Sequence, residues 1–183
     1  MLYSIIKRLM DRVGAFIGII ILSPLLIIVA ILIKIDSKGS TIFSQVRVGY
    51  KGREFKIYKF RTMVEDAEEL KKDPRITKIG KFIRKTSIDE LPQLLNILRG
   101  DMSIVGPRPS LPGEVKNFDT WMLKRLEVKP GLTCYWQVSG RNNIEFDDWM
   151  KLDIKYVEER NLFIDTKLIL KTTLLLLGDK NAF

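Results

Sequence analysis

Two adjacent carboxylates, Asp89 and Glu90, stand close in sequence to Arg84, Lys85, Arg99 and Arg108. A carboxylate kept ionised at a helix start can attack phosphorus, and its neighbour can hold Mg²⁺, a hard cation that takes oxygen ligands. The same stretch also reads as Ser87-Ile88-Asp89-Glu90, an S-x-x-E capping box whose acids only satisfy a helix N-terminus and its dipole. Both readings stand at this level. "VGPRP", residues 105 to 109, would hold Arg108 between two rings for a bidentate phosphate contact, or form a plain turn. "KFRTM", residues 59 to 63, offers Lys59 and Arg61, and "WQVSGRN", residues 136 to 142, offers Trp136 and Arg141; a solvated strand end and a core tryptophan are the plain alternatives.

The elements that must position these groups follow from pattern. Residues 42 to 60 alternate around Gly49 to Gly52 and predict a β-hairpin. Thr62 and Glu65 have capping-box spacing and predict a helix ended by Asp73-Pro74. "RITKIGKFIRK" places Ile76, Ile79 and Ile83 on one side and its basic residues, Arg84 among them, elsewhere; those cations either bind phosphate or face solvent. A helix from about Ser87 to Gly100 would bury Leu91, Leu94, Leu95 and Leu98, and "IVGPRPSLPGE" reads as an ordered loop. An amphipathic helix is expected over 114 to 128, a strand or loop in "LTCYWQVSGRNN", and helices over roughly 146 to 160 and 165 to 177. The last would be capped by Asp165 and either join the core or lie on a bilayer surface.

Ahead of all this, Val13 to Ile33 is a run of 21 residues without a charge. As a helix it would extend roughly 31 Å, enough to cross a bilayer. Lys7, Arg8 and Arg12 precede it while Lys34, Lys38, Arg47 and Lys51 follow, so positive charge marks both ends as cytoplasmic. A re-entrant hairpin bent at Ser23-Pro24 resolves that conflict: Pro24 removes the bond to the Ile20 carbonyl, and the Ser23 hydroxyl can replace it. A proline-kinked spanning helix remains the alternative. Leu2, Ile5, Ile6, Leu9 and Val13 share one face opposite Lys7, Arg8, Asp11 and Arg12, the pattern of a helix lying among headgroups.

The chain has 183 residues, one cysteine, no histidine and a net charge of +9. The missing histidine excludes Ser-His and Cys-His nucleophile pairs and the common zinc ligands, leaving carboxylates, Lys, Arg, Tyr or a hard cation for any chemistry. Cys134 alone forms no internal disulfide. The positive balance favours anionic partners. No helix-turn-helix, zinc or RNA-recognition signature supports nucleic acid. A non-catalytic membrane scaffold binding anionic lipid or an acidic partner is the second functional reading.

Taken in order, Lys7-Arg8, Ser23-Pro24, "IFSQVRVGYKGREFKIYKFRTM", "TSIDELPQLLNILRGDMSIVGPRP", "KPGLTCYWQVSGRN" and the "DIKYV" and "IDTKLILKT" ending resemble the bacterial sugar transferase family. These are the monotopic polyprenol-phosphate phosphoglycosyl transferases, and the chain resembles a small, core-only member. The resemblance implies a mainly α fold with a small β-hairpin, a re-entrant helix-break-helix with interfacial helices in residues 1–40, and a catalytic domain in 41–183. That domain would sit on the cytoplasmic face of a bacterial inner membrane. The implied reaction moves a phosphosugar from a UDP-sugar to polyprenol phosphate with Mg²⁺ and releases UMP. Carried onto this chain, Asp89 is the nucleophile and Glu90 its partner in metal binding or proton handling. Arg108 would hold phosphate, Lys59, Arg61, Arg84 and Arg141 would line the substrate, and Ser23-Pro24 would break the membrane helix. Homo-oligomers and downstream glycosyltransferases are compatible partners.

Overall fold

The structure, a computed structural model, describes residues 2–64, 76–139 and 144–178, with side chains described to residue 175. The helix expected from Thr62 to Asp73 falls mostly outside those residues. Its described start, Thr62 to Val64, is not helical, and Met63 instead bridges to Ile76.

Helix α1 runs from Leu2 to Asp36 with Pro24 inside it. Where the sequence predicts a break, the helix continues through the proline. The reason lies at Ile20: Pro24 has no N–H to donate, and the Ser23 hydroxyl donates to the Ile20 carbonyl at 2.8 Å instead. One stripe of α1 is buried at Ala15, Val29 and Ile33, while Ile17, Ile20, Ile21, Ile27, Ile28 and Ile31 are exposed. An outer face this apolar is compatible with membrane association, and α1 is the one described helix long and apolar enough to cross a bilayer.

Both halves of α1 dock on one body. Ala15, with Ile19 and Leu22 beside it, packs on Ile57, Leu94, Ile97 and Met102, while Val29 and Ile33 pack on Phe60 and Ile83. Polar contacts fix each end. Asp11 accepts from the Ser103 hydroxyl at 2.8 Å and the Ile104 amide at 3.0 Å. Asp36 accepts from the Ile79 amide at 2.9 Å.

Strands β1 (Ile42–Val48) and β2 (Glu54–Phe60) form the expected antiparallel hairpin, with Val48 opposite Glu54. Helix α2 (Lys78–Lys85) is capped by Thr77, whose hydroxyl accepts from the Gly80 amide at 2.9 Å. A 3-10 segment, Ile88–Gln93, leads into α3 (Leu94–Arg99). The tighter start turns a different face inward from the one its leucines predict. Gln93, Leu94, Asn96 and Ile97 are buried and Leu95 is exposed. Asn96 is satisfied by the open edge of β2: its Nδ2 donates to the Lys56 carbonyl at 2.7 Å and its Oδ1 accepts from the Tyr58 amide at 3.1 Å.

Strands β3 (Ser103–Val105) and β4 (Gly131–Thr133) pair in parallel, a pairing absent from the loop reading of residues 104 to 114. The helix expected over 114 to 128 is instead the one-turn α4 (Pro112–Val115) and a 3-10 segment, Met122–Glu127. Arg125 explains the departure, because the 3-10 segment carries it inward to a buried Asp153. Helices α5 (Tyr135–Val138), α6 (Phe146–Glu159) and α7 (Leu162–Gly178) complete the chain. Asp165 is not the cap of α7. Asn161 accepts from the Ile164 amide at 3.0 Å there, while Asp165 is buried against Tyr156 at 2.7 Å and Lys7 at 2.9 Å. Helix α7 joins the core through Leu168 and leaves Phe163, Leu170 and Leu174 exposed.

Candidate active site

The segment that carries Asp89 and Glu90 opens on a strained residue. Ser87 has φ +55, left-handed backbone for a residue with a Cβ, and its side chain caps nothing. The capping box therefore does not form. The Glu90 carboxylate turns away, accepting from Lys59 Nζ at 2.7 Å and from Arg108 Nη2 at 3.2 Å, with its side chain only 13% exposed. Strand β2 supplies Lys59, the 3-10 segment supplies the acids, and the loop after β3 supplies Arg108. Between Lys59, Glu90 and Arg108 is a cavity of about 10 Å³, room for about one water, which Gln93 and Gln137 also line; Asp89, the next residue to Glu90, is not in its wall.

The two acids have opposite electrostatics. Burial opposes the charge on Glu90, but Arg108 and Lys59 together outweigh it and hold its carboxyl down to about 2. Burial pushes Asp89 up to about 6, the charge on Glu90 adds to that, and Lys59 and Arg84 pull the other way. Among the described residues Asp89 forms no ion pair within 4 Å. It is thus a bare carboxylate at neutral pH, held beside a second negative charge.

Those features fit a magnesium ion. Glu90 spends only Oε1 on its two cations, and no described group donates to Oε2. Asp89 and Glu90 are hard oxygen donors, and no cluster of three or more acidic, His or Cys ligands exists among the described residues. One or two carboxylates completed by substrate phosphates is the way proteins commonly hold magnesium. A divalent cation would also relieve the repulsion that raises Asp89.

Arg108 is positioned from behind. Arg125 Nη2 donates to the Arg108 carbonyl at 2.6 Å and to Asp153 Oδ2 at 2.6 Å, and its Nη1 reaches the Ser110 hydroxyl. The Arg125 guanidinium lies between the rings of Phe118 and Trp149, at 5.5 and 5.4 Å. Trp136 faces Arg108 itself at 5.6 Å. Two glycines let the supporting strands meet. A Cβ on Gly131 would lie 2.1 Å from the Gly106 nitrogen, and one on Gly106 would lie 2.3 Å from the Lys129 carbonyl oxygen.

The structure thus brings Lys59, Asp89, Glu90 and Arg108 together. Arg84 stands close by, donating to the Thr62 hydroxyl at 2.9 Å and lowering Asp89. Arg61 points elsewhere: buried, it donates to the Ser37 carbonyl and hydroxyl at 2.9 Å each and to the Lys38 carbonyl, closing the C-terminal end of α1. Ser23 and Pro24 lie within α1, and Arg141 lies outside the described residues. Reading the sequence missed Arg125 and Asp153, which look like solvated helix positions. It also passed over Gln93 and Asn96, although a buried amide within "LPQLLNIL" is a signal that something must satisfy it.

Comparison with known proteins gives the family. Residues 2–179 match the family described as bacterial sugar transferase. The galactosyl transferase CpsE of Streptococcus agalactiae is 48% identical over 93% of this chain, and the exopolysaccharide production protein ExoY of Rhizobium meliloti is 38% identical over 91%. The undecaprenyl-phosphate galactose phosphotransferase of Salmonella typhimurium is 40% identical over 97%. The match spans 42% of the Streptococcus and Salmonella proteins and 83% of ExoY. With residues 2–179 matched to its model, the chain belongs to the bacterial sugar transferase family.

Proposed function

We propose that the protein transfers a sugar phosphate from a UDP-sugar to a polyprenol phosphate through a covalent intermediate on Asp89. The observation that carries the reading is the Asp89–Glu90 geometry: Glu90 is clamped by Lys59 and Arg108, and Asp89 stands beside it uncompensated. An Asp89 carboxylate oxygen attacks the sugar-linked phosphorus, and the bond to the bridging oxygen breaks, so that UMP departs with the electron pair. The lipid phosphate oxygen then attacks the same phosphorus, and Asp89 leaves as a carboxylate. Neither step needs a proton removed from the nucleophile, which suits a chain without histidine.

Three cations, Lys59, Arg84 and Arg108, face two carboxylates here, an excess that favours a diphosphate. Asp89 and Glu90 would hold Mg²⁺, which supplies charge neutralisation for the phosphates. A soluble donor and an insoluble acceptor meet only at a bilayer surface. The exposed apolar face of α1, opposite the stripe that docks on the body, supports reading residues 1–40 as a re-entrant anchor and 41–183 as a body on the cytoplasmic face. The name of the Salmonella relative, undecaprenyl-phosphate galactose phosphotransferase, supports the acceptor. The reaction would be the first membrane step of glycoconjugate assembly.

The test is UMP release from a panel of UDP-sugars by the purified full chain with Mg²⁺ and polyprenol phosphate. Release by the wild type and none by Asp89→Asn is expected, whereas a scaffold releases none in either form. Intact-mass measurement with UDP-sugar alone should show a phosphosugar adduct on Asp89; turnover without that adduct means direct displacement.

A further inference from the structure

A second cavity, of about 120 Å³, opens between the first turns of α1, the residues just before β4 and the α6–α7 corner. Tyr3, Lys7, Arg8, Lys129 and Arg160 are among its walls, and none of its lining residues lines the Glu90–Arg108 cavity. Lys7 is neutralised by Asp165 at 2.9 Å. Asp11 is taken up by Ser103 and the Ile104 amide, with Lys7 at 3.7 Å. Glu127 is the other acid in the wall.

That leaves an excess of cations. Among the described residues Arg8, Arg12, Lys129 and Arg160 have no carboxylate within 4 Å, and Arg160 Nη1 is buried with no hydrogen-bond partner. A Cβ on Gly100 would lie 3.4 Å from Lys129 Nζ and 3.6 Å from Arg12 Nη2, so these two charges crowd one spot. Burial, Arg8 and Arg12 all depress the proton affinity of Lys129. Buried donors and mutually repelling cations both cost stability when nothing anionic is bound. The surroundings indicate which anion. Leu2, Ile5 and Leu9 are exposed on the same turns of α1, and Phe163 is exposed at the start of α7, so the cavity lies where an apolar surface meets a basic one.

We infer that this cavity binds the phosphate of an anionic phospholipid headgroup, with Arg8, Lys129 and Arg160 as its ligands. The inference rests on the membrane placement of α1 under the proposed function. Its chemistry is separate from Asp89.

Native mass spectrometry of the full chain in detergent, titrated with phosphatidylglycerol, phosphatidylcholine or inorganic phosphate, tests it. One retained phosphatidylglycerol is expected, with Arg160→Gln and Arg8→Gln together weakening retention about tenfold or more, as loss of charged hydrogen bonds to phosphate predicts. Lys129→Gln serves if the double variant loses its helical circular dichroism. Equal retention of phosphatidylcholine, equal binding of free phosphate, or unchanged retention in a folded variant each overturns the inference. Asp89→Asn should keep the lipid, and lipid retention by a wild-type protein that releases no UMP defeats only the enzymatic reading.

Discussion

Gly131→Ala tests the way the fold holds Arg108. The added methyl would lie 2.1 Å from the Gly106 nitrogen and 2.6 Å from its oxygen, both backbone atoms that no side-chain rotation can move. Relief requires β3 and β4 to part by about 1 Å or more, since ordinary contact begins near 3.4 Å. That movement strains three backbone bonds: Ser103 to the Pro130 carbonyl at 2.8 Å, Gly131 to the Pro107 carbonyl at 2.9 Å and Gly106 to the Thr133 carbonyl at 3.0 Å. Overpacking costs about 1–3 kcal/mol and each of the three weakened bonds about 1 kcal/mol, so roughly 4–6 kcal/mol is at stake. For a chain of this size about 2–4 °C is lost per kcal/mol, giving a fall in Tm of roughly 15 °C. Gly113→Ala is the internal control, because nothing lies within 4 Å of its added Cβ and it sits in α4. There the methyl should be neutral or stabilise by up to about 1 kcal/mol. Thermal unfolding of both variants in one detergent, followed by circular dichroism, decides the matter. Equal Tm values for the two would refute the close approach of the strands, as would a Gly131→Ala protein with wild-type UMP release.

Asp89→Asn should stabilise the protein at pH 7.5 in a metal chelator. Its folded carboxyl is raised to about 6 from 3.8, so the wild type loses stability as pH rises through that window, by about 3 kcal/mol at most. The gain should vanish near pH 4, and equal Tm values at pH 7.5 would contradict the burial of this group. Arg61→Ala should lower stability by about 2–3 kcal/mol by leaving the end of α1 unsatisfied, without raising KM for the donor; a KM effect in a protein of normal Tm would return Arg61 to the substrate. A cysteine at residue 2 should be labelled only from the cytoplasmic side in spheroplasts, and Pro24→Ala, which returns the missing backbone donor to that turn of α1, should shift some molecules to periplasmic labelling. Periplasmic labelling of the parent would mean a spanning α1.

What could be read in advance divides along local and non-local lines. The hairpin, α2, α6, α7 and the long apolar helix were legible because period and turn residues are local signals. The proline-serine compensation at Ile20 was legible for the same reason. The inward face of α3 was not, because the 3-10 start at Ile88 changes its phase and Asn96 is satisfied only by a strand 40 residues away. That Ser87 to Glu90 is not a capping box, and that Glu90 pairs with Lys59 and Arg108 instead, was not legible because no spacing rule joins those cations to it. Arg125 and Asp153 were illegible because a buried ion pair and a solvated one use the same letters.

The stripe of α1 that lies inside the body has a consequence for how the protein is made. Because Ala15, Val29 and Ile33 complete hydrophobic clusters built from residues 55 to 102, the body lacks part of its interior until the first helix has arrived. That helix carries an outer surface water does not tolerate. Under the proposed membrane placement, completing the body and seating α1 at the bilayer would be one event, and trimming away the first forty residues to obtain a soluble enzyme should yield aggregates instead.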